Sequence, residues 1–289
     1  MKDRLGFKYY DAEVKTVSDD INILFPDWNE DERVCIMSPH DDDAIIGAGY
    51  GMLAARQAGA EVYVYIFCRG DAGYSTAAEK ETIEDIRRQE AEACYARMGI
   101  PRDHIFRMNF GDFSAIGNLG WTTAADKQGD MPRMLRFLRD NRITRVMVPN
   151  HYHEHIDHLA AHIMACYNIP QAGDPVLVDH ATPHSVKSVL EYSVWADFDP
   201  EDAMVHKRDT NIRANRIIIA SKEVEGIIAE CIKEYRSQGE IIRDLIASRS
   251  ERRMKDGRSI ETYIALDPRP KMSFSPYIHL IEQSLENSK

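Results

Sequence analysis

The sequence lacks the long apolar run that a membrane span requires, because none of its hydrophobic stretches approaches ~20 residues. Its first residues, MKDRLGFKYYDAEV, also lack the apolar core of a secretory signal peptide. We therefore expect a soluble, cytoplasmic protein. With 289 residues, 44% of them hydrophobic, the chain can bury a sizeable core.

The sequence is also poor in cysteine and has no block of basic residues. Its five cysteines are scattered and form no CxxC pair, which favours reduced core residues over a disulfide framework or a thiolate metal site. They are Cys35, Cys68, Cys94, Cys166 and Cys231. The net charge is -11, which argues against nucleic acid or an anionic membrane as a partner.

Strand and helix patterns alternate along the first half of the chain. Apolar runs predict strands, and segments with an apolar face or small residues predict helices. In chain order these are strand 33–38, helix 44–58, strand 61–68, helix 79–98, strand 104–108, helix 130–141 and strand 143–149. Such alternation implies parallel strands with right-handed crossovers. We expect an α/β fold, a Rossmann-like three-layer sandwich with a mostly parallel sheet.

The second half is less regular and predicts a strand at 186–195 and helices at 222–236 and 240–254. These elements are expected to cover the sheet and shape a pocket. The expected organisation is an N-terminal leader at 1–32 packed on the domain, and one catalytic domain at 33–289 with a core at 33–185 and C-terminal strands and helices at 186–289.

The first functional motif, SPHDDDAIIGAG, begins where the strand at 33–38 ends. Ligands of parallel α/β sheets bind at the carboxyl ends of strands. The acids from Asp41 to Asp43 could open a helix by capping its free N–H groups, which explains one acid better than three. Alternatively, His40 and one or more of the acids hold a divalent cation whose charge offsets the crowding.

A dinucleotide fingerprint is a poor fit to the glycines of this motif. The sixth position counted from Gly47 is Met52, where the fingerprint needs glycine. The preceding aspartates would also repel a pyrophosphate. We expect these glycines to let a helix pack closely on the sheet.

The second motif, NHYHEHIDHLAAH, follows the strand at 143–149 and is rich in histidine. If a helix begins near His155, then His155, His158 and His162 share one face. Because this loop can lie beside the first motif, two imidazoles and a carboxylate can converge with one coordination position open. That is the arrangement of a catalytic zinc site.

The same segment also fits the HxHxDH pattern of the dinuclear metallo-β-lactamase-type hydrolases, through His153, His155, Asp157 and His158. That family places its motif after a β-rich N-terminal half, whereas strand and helix alternate here. The dinuclear interpretation would also leave the first motif without a role.

Together the two motifs resemble the LmbE/PIG-L family of zinc-dependent N-deacetylases, whose hallmarks are an AHPDDE-like motif and a later HxDH. SPHDDDAIIGAG resembles the first and HIDHLAAH the second. Further similarities follow in order: IFCRGDAG at 66–73, IRRQEAEACYARMGI at 86–100, YRSQ at 235–238 and IETYIAL at 260–266. The resemblance implies the fold and the N-deacetylase activity of that family.

The resemblance also implies a role for each matching residue. His40, Asp43 and His158 correspond to the zinc ligands, and Asp42 corresponds to the general base. A carboxylate beside the metal but free of it can take a proton during attack on an amide. The implied cofactor is one Zn²⁺ per chain, and another divalent metal is also compatible with these ligands.

By the same resemblance, His155 steadies or protonates the reacting oxygen or the leaving nitrogen, and Asp157 orients an imidazole. Arg69 follows the second strand and is a candidate substrate-binding residue, since a guanidinium can hold hydroxyl, phosphate or carboxylate oxygens. The alternative for Arg69 is a surface ion pair with Asp71 or Asp112.

Two residues depart from the family pattern. Asp41 stands where the family usually has Pro, and Ala44 where it usually has Glu. The first change adds charge and makes the turn more flexible, and the second removes a carboxylate near the metal. Both changes bear on the family's usual contacts to the sugar.

The functional prediction is a metal-dependent hydrolase that removes an acetyl group from an N-acetylated sugar of the GlcNAc type or from a similar small amide. The alternative is a zinc-dependent hydratase or lyase on the same fold. A silent metal-binding or sugar-binding module is disfavoured because Asp42 supplies a base. The expected partner is a small N-acetylated sugar, without nucleic acid or a membrane span, and the chain is compatible with a homo-oligomer.

Overall fold

The described residues form a nine-stranded β-sheet. The structure, a computed structural model, describes residues 5–152, 154–195, 198, 213–267, 269 and 272–288. The strands are β1 Phe7–Asp11, β2 Thr16–Ser18, β3 Arg33–Ser38, β4 Glu61–Cys68, β5 Ile105–Phe110, β6 Arg145–Pro149, β7 Ser188–Tyr192, β8 Arg216–Ala220 and β9 Ser259–Leu266. Across the sheet they lie in the order β2-β1-β8-β9-β7-β6-β3-β4-β5.

The sheet is mixed. Strands β7, β6, β3, β4 and β5 are parallel neighbours, because each connection between them in the chain is a helical crossover. Strands β1, β2, β8 and β9 pair in antiparallel fashion. The expectation of a mostly parallel sheet is therefore not confirmed. Parallel pairing holds in the part of the chain where strands and helices alternate. The antiparallel strands come from the two ends of the chain.

The helices largely follow the sequence predictions. They are α1 Asp43–Gln57, α2 Ile83–Arg97, α3 Asp130–Asp140, α4 Ile156–Gly173, α5 Lys222–Ile232, α6 Gly239–Ser248 and α7 Ser275–Glu286. The helix predicted at 79–98 begins later, because 77–79 form a separate 3₁₀ turn. The helices predicted at 222–236 and 240–254 end earlier, at Ile232 and Ser248. No described helix combines the length and apolar character needed to cross a membrane.

The N-terminal segment contributes two strands to one side of the sheet. β1 pairs with β8 along its whole length, and β2 folds back on β1. Phe7 and Tyr9 are two residues apart and are both buried in the core, as the two-residue period of a strand requires. The ring of Phe25 is also buried and lies 5.4 Å from that of Trp28. These aromatic residues therefore extend the sheet and its core.

A hydrophobic core lies on each face of the sheet. In β4 the even-numbered residues from Val62 to Ile66 join residues of α1 and α5. The odd-numbered residues from Tyr63 to Phe67 join residues of α3 and α4. Because both faces of β4 are covered, its sequence is a nearly continuous apolar run.

Close packing accounts for the glycines at the start of α1. A Cβ on Gly47 would lie 2.4 Å from the Tyr192 ring and 2.6 Å from the carbonyl oxygen of Ser193. A Cβ on Gly51 would lie 2.7 Å from Cε of Met147. Larger residues would push α1 off the sheet and displace the residues at its N-terminus.

A buried ion pair anchors the opposite, amino-terminal edge of the parallel strands. Arg145 contacts both carboxylate oxygens of Glu32, at 3.0 and 3.1 Å, and Lys187 adds a contact at 2.7 Å. Burial raises the pKa of Glu32, but the hydrogen bonds from Arg145 and Lys187 outweigh it and lower this pKa from 4.5 to about 2. The carboxylate therefore stabilises the fold while it is ionised.

We expect Glu32→Gln to lower the free energy of unfolding at neutral pH by about 3–5 kcal/mol, because it leaves the buried Arg145 charge without an anionic partner. Since the pKa of Glu32 is depressed in the folded state, its contribution is present above pH ~4.5 and lost as the pH falls toward 2. The variant should therefore lose less stability than the wild type over that range. Urea unfolding at several pH values measures this.

The matched control is Glu30→Gln, which removes an exposed carboxylate from the same segment. It should leave the unfolding free energy nearly unchanged. Equal losses in the Glu30 and Glu32 variants would contradict a stabilising role for the buried pair.

Candidate metal and catalytic site

Two loops at the carboxyl edge of the parallel strands form the site. β3 ends at Ser38 and leads into α1, whereas β6 ends at Pro149 and leads into α4. Because β3 and β6 are parallel neighbours, the loops emerge side by side. Ser38 ties the first loop: its Oγ donates to the carbonyl of His40 at 2.6 Å and accepts from the N–H of Ala44 at 3.0 Å.

His40, Asp43 and His158 meet at this edge. Asp43 Oδ2 lies 3.1 Å from His40 Nδ1 and 3.2 Å from His158 Nε2. Asp43 and His158 are 2% and 1% exposed. Burial opposes the charge on Asp43, yet the two imidazoles hold the pKa of its carboxyl well below the usual range. Burial likewise lowers the pKa of His158, but Asp43 raises it to about 9.

The donor set and its spacing fit a divalent metal ion. His158 Nδ1 is engaged by Glu154 Oε2 at 2.9 Å, so Nε2 is the nitrogen that faces the cluster. Nε2 is buried and makes no hydrogen bond within the described part of the chain. Its 3.2 Å separation from Asp43 Oδ2 is close to the ~3.3 Å between nitrogen and oxygen ligands of a tetrahedral zinc ion. A cation here would supply the positive charge that Asp43 requires.

Asp41 and Asp42 lie in different surroundings from Asp43. Asp42 Oδ1 accepts a hydrogen bond from Arg87 Nη2 at 3.1 Å, and the residue is 9% exposed. Asp41 is fully buried and pairs with both Arg87 and Arg107. Burial raises the pKa of Asp41, and the two guanidinium groups oppose that shift. Two arginines thus offset the charge of the acids that do not face the histidines.

Asp157 positions His40 from the second loop. One oxygen of this fully buried carboxylate lies 3.3 Å from His40 Nε2. The same oxygen, Oδ2, accepts the backbone N–H of Phe113 at 2.6 Å, and Oδ1 accepts that of Ala115 at 3.1 Å. With Nε2 held in this way, Nδ1 of His40 faces Asp43.

His155 caps the N-terminus of α4. Its Nδ1 accepts the backbone N–H of Asp157 at 3.1 Å. The ring lies edge-on to His40, with centroids 4.8 Å apart, and 4.7 Å from Phe113. Burial and the neighbouring His40 lower the pKa of His155. An imidazole whose Nδ1 accepts carries its proton on Nε2, so His155 can donate from that nitrogen.

Arg69 follows β4 at the same edge and contacts an acid. Its Nε and Nη2 lie 2.9 and 2.6 Å from Asp71 Oδ2. Asp112 instead accepts the backbone N–H groups of Gly70 and Ala72. The side chain of Arg69 is 41% exposed, so it can meet a ligand while paired with Asp71.

Sequence reasoning missed three residues of the site: Glu154, Arg87 and Arg107. Glu154 had a detectable signal, because it is a carboxylate within the second motif, four residues before His158, and such acids often engage the second nitrogen of a metal-binding histidine. The arginines lie on α2 and β5, and no spacing in the sequence joined them to Asp41. The dinuclear HxHxDH interpretation also requires His153, which lies outside the described residues.

Solved structures of several enzymes share this fold. They include N,N'-diacetylchitobiose deacetylase from Pyrococcus horikoshii, with a TM-score of 0.63, 19% identity and coverage of 86% of this chain and 88% of that one. GalB, the 4-carboxy-2-hydroxymuconate hydratase from Pseudomonas putida KT2440, has a TM-score of 0.59, 14% identity and coverage of 85% and 99%. Dbv21, the A40926 pseudoaglycone deacetylase, has a TM-score of 0.57, 18% identity and coverage of 84% and 100%. At these identities the similarity establishes the fold alone.

The sequence itself matches a family. No curated protein matches the chain at a significant level. The family model PIG-L, GlcNAc-PI de-N-acetylase, matches residues 35–167. The matched segment runs from β3 into α4 and contains both motifs, so the family resemblance drawn from them is confirmed. Over residues 35–167, a little under half of its length, the chain is similar to the PIG-L (LmbE-like) family of GlcNAc-PI de-N-acetylases.

Proposed function

We propose that the protein is a metal-dependent N-deacetylase that hydrolyses the acetamide of a small N-acetylated sugar of the GlcNAc type. The observation that carries this proposal is the cluster of His40 with the buried residues Asp43 and His158, and with the carboxylate of Asp42 beside it. The match of residues 35–167 to the PIG-L family model supports the same reaction class. Two of the structures that share the fold are those of deacetylases.

In this proposal His40, Asp43 and His158 hold one Zn²⁺, and another divalent metal is compatible with the same ligands. When bound, the ion polarises the acetamide carbonyl and makes water more acidic. Asp157 keeps the His40 ring in place through Nε2, and Glu154 does the same for His158 through Nδ1. Such partners fix the orientation of the imidazoles.

Asp42 is the proposed general base. Arg87 binds its Oδ1 and orients the carboxylate, so we assign Oδ2 to take the proton of the attacking water. The same group then delivers that proton to the leaving nitrogen. Hydrolysis thus consumes one water and yields acetate and a free amine, and Asp42 is ready for the next cycle.

His155 is the proposed stabiliser of the developing oxyanion. Its Nδ1 is engaged by the N-terminus of α4, so Nε2–H is the donor that can approach the reacting oxygen. This role requires a neutral imidazole in a fixed orientation. The hydrogen bond by which His155 caps α4 fixes that orientation.

Arg69 is the proposed contact to substrate hydroxyl groups. Its pairing with Asp71 presets the direction of the guanidinium, while the exposed part of the side chain faces solvent at the site's edge. At the two positions that depart from the family pattern, Asp41 is withdrawn into its arginine pairs and Ala44 is buried in α1. Neither side chain is then available to a sugar.

The second candidate function is a hydratase or lyase. It is favoured by one observation, the shared fold with GalB, a hydratase. In that case Asp42 would move a proton during addition of water to a carbon–carbon double bond.

An assay on a substrate panel distinguishes the two reactions. We expect the zinc-loaded protein to release acetate and a primary amine in equal amounts from N-acetylglucosamine, N,N'-diacetylchitobiose or a GlcNAc conjugate. Loss of the ultraviolet absorbance of a carboxylated enoate, without acetate release from any amide, would replace the deacetylase by the hydratase.

Variants separate the metal ligands from the base. Asp43→Ala and His158→Ala should each lose the ion held at this site, because each removes a ligand from a buried cluster. Asp42→Asn should keep that ion and lower kcat by at least ~100-fold, as expected for removal of a general base. Metal analysis and turnover on the same preparations measure this. The control is Asp85→Asn, which replaces an exposed acid on α2. Near-wild-type turnover of Asp42→Asn with its metal in place would refute the assignment of Asp42 as the base.

His155 separates the mononuclear from the dinuclear arrangement. His155→Ala should keep the metal and lower kcat by roughly 10²- to 10³-fold, since it removes a single oxyanion donor. His104→Ala is the control, because His104 stacks on Tyr63 at the opposite edge of the sheet. If His155→Ala lost metal as His158→Ala does, His155 would be a ligand and the dinuclear interpretation would be supported.

A further inference from the structure

Two exposed aromatic side chains lie on loops at either side of the metal cluster. Phe113 follows β5 and Trp195 follows β7, at the same carboxyl edge of the parallel strands as the cluster. β7 lies on one side of the central strands β6 and β3, and β5 lies on the other. The exposed fractions of the two residues are 62% and 52%. Neither residue has a role in the deacetylase reaction as proposed above.

The backbone of Phe113 is bound to the second motif. Its N–H donates to Asp157 Oδ2, the oxygen that also contacts His40. Phe113 has φ = 60°, in the left-handed region that favours glycine, and strain of this kind concentrates at functional sites. Its ring centroid lies 4.7 Å from that of His155. A strained phenylalanine is therefore held beside the proposed oxyanion donor, with most of its surface open to solvent.

The backbone of Trp195 is bound to the same motif in a corresponding way. Glu154 engages His158 through Oε2, and its Oε1 accepts the N–H of Val194 at 2.9 Å and that of Trp195 at 3.0 Å. The loop after β7 is therefore attached to one metal-binding imidazole, as Phe113 is attached to the other. Both aromatic residues are fixed in position relative to the metal cluster.

Two isoleucines add to this apolar surface. Ile156 is the first residue of α4, and Ile116 lies three residues after Phe113. Both are exposed. Phe113, Ile116, Ile156 and Trp195 are called the apolar rim below. Exposed apolar residues that are grouped at a ligand site mark a binding surface, whereas residues scattered singly over a protein do not.

We propose that the apolar rim binds an apolar aglycone, so that the preferred substrate is an N-acetylated sugar conjugate and not the free sugar. This inference rests on the proposed deacetylase function. With the acetamide at the metal cluster and the sugar hydroxyl groups at Arg69, a substituent on the sugar passes the rim, because the rim lies on both sides of the cluster. Phenylalanine and tryptophan offer large apolar faces to an alkyl chain or to an aromatic ring. Removal of these surfaces from water favours binding.

Binding of product conjugates tests this proposal without turnover. The octyl, phenyl and methyl glycosides of glucosamine carry a free amine and no amide, so they bind without reacting. Calorimetric titration of the full-length, zinc-loaded protein, below the micellar concentration of the octyl compound, gives each dissociation constant. We expect the octyl and phenyl compounds to bind at least ~10-fold more tightly than the methyl compound, a factor that burial of roughly two methylene groups provides.

Two variants locate the binding surface. Phe113→Gly removes the ring and introduces the residue that best tolerates φ = 60°. Trp195→Ala removes the other aromatic side chain, so the surface is tested even if one variant fails to fold. Each should lower the octyl-to-methyl affinity ratio by at least ~3-fold, because each removes apolar contact area. The control is Tyr167→Ala, which removes an exposed aromatic residue of α4 about 18 Å along the helix from His155 and should keep the wild-type ratio.

Three results would overturn the proposal. The first is equal affinity of the wild type for the octyl and methyl compounds, and the second is an unchanged ratio in both rim variants. The third is a dimer that dissociates in both rim variants during ultracentrifugation, without any octyl preference, because the rim would then contact a second copy of the chain. Acetate release without an octyl preference refutes the rim proposal alone, and an octyl preference without acetate release refutes the deacetylase proposal alone.

Discussion

The site depends on one shared carboxylate, that of Asp43. It lies in the first turn of α1 and contacts His40 from its own loop and His158 from α4. Because both imidazoles converge on the same oxygen, the positions of two helices and two parallel strands are linked through one buried group. The close contact at Gly47 holds the start of α1 against the sheet, so the packing of α1 sets the position of this carboxylate.

Three consecutive aspartates are tolerated because each meets a source of positive charge. Asp41 is enclosed by Arg87 and Arg107, Asp42 takes one hydrogen bond from Arg87, and Asp43 faces the histidines. The residues that resolve the repulsion come from α2 and β5, outside the motif itself. With this distribution the three acids have the different tasks that we propose for them: fixing the turn, moving a proton and holding a cation.

Local patterns predicted the parallel part of the fold well. β3 and β4 have the bounds that their apolar runs predicted, and the second motif lies at the start of α4 as expected. β1 and β8 were missed, because they are short and are stabilised by pairing across more than 200 residues of sequence. The family resemblance singled out His40, Asp43 and His158, whereas the strand positions alone placed only the two motifs at one edge of the sheet. Arg87 and Arg107 were not, because a buried charge pair depends on tertiary contacts.

We propose that Asp43, His40 and His158 enclose a metal ion. The most direct test is an anomalous difference map from crystals of the zinc-loaded protein, recorded above and below the zinc absorption edge. The account predicts an edge-dependent peak bounded by the Asp43 carboxylate, the His40 ring and Nε2 of His158, with Asp42 outside bonding distance. A map without a peak at this place, or with the ion bound by His155 and Asp157 in place of His158, would contradict it.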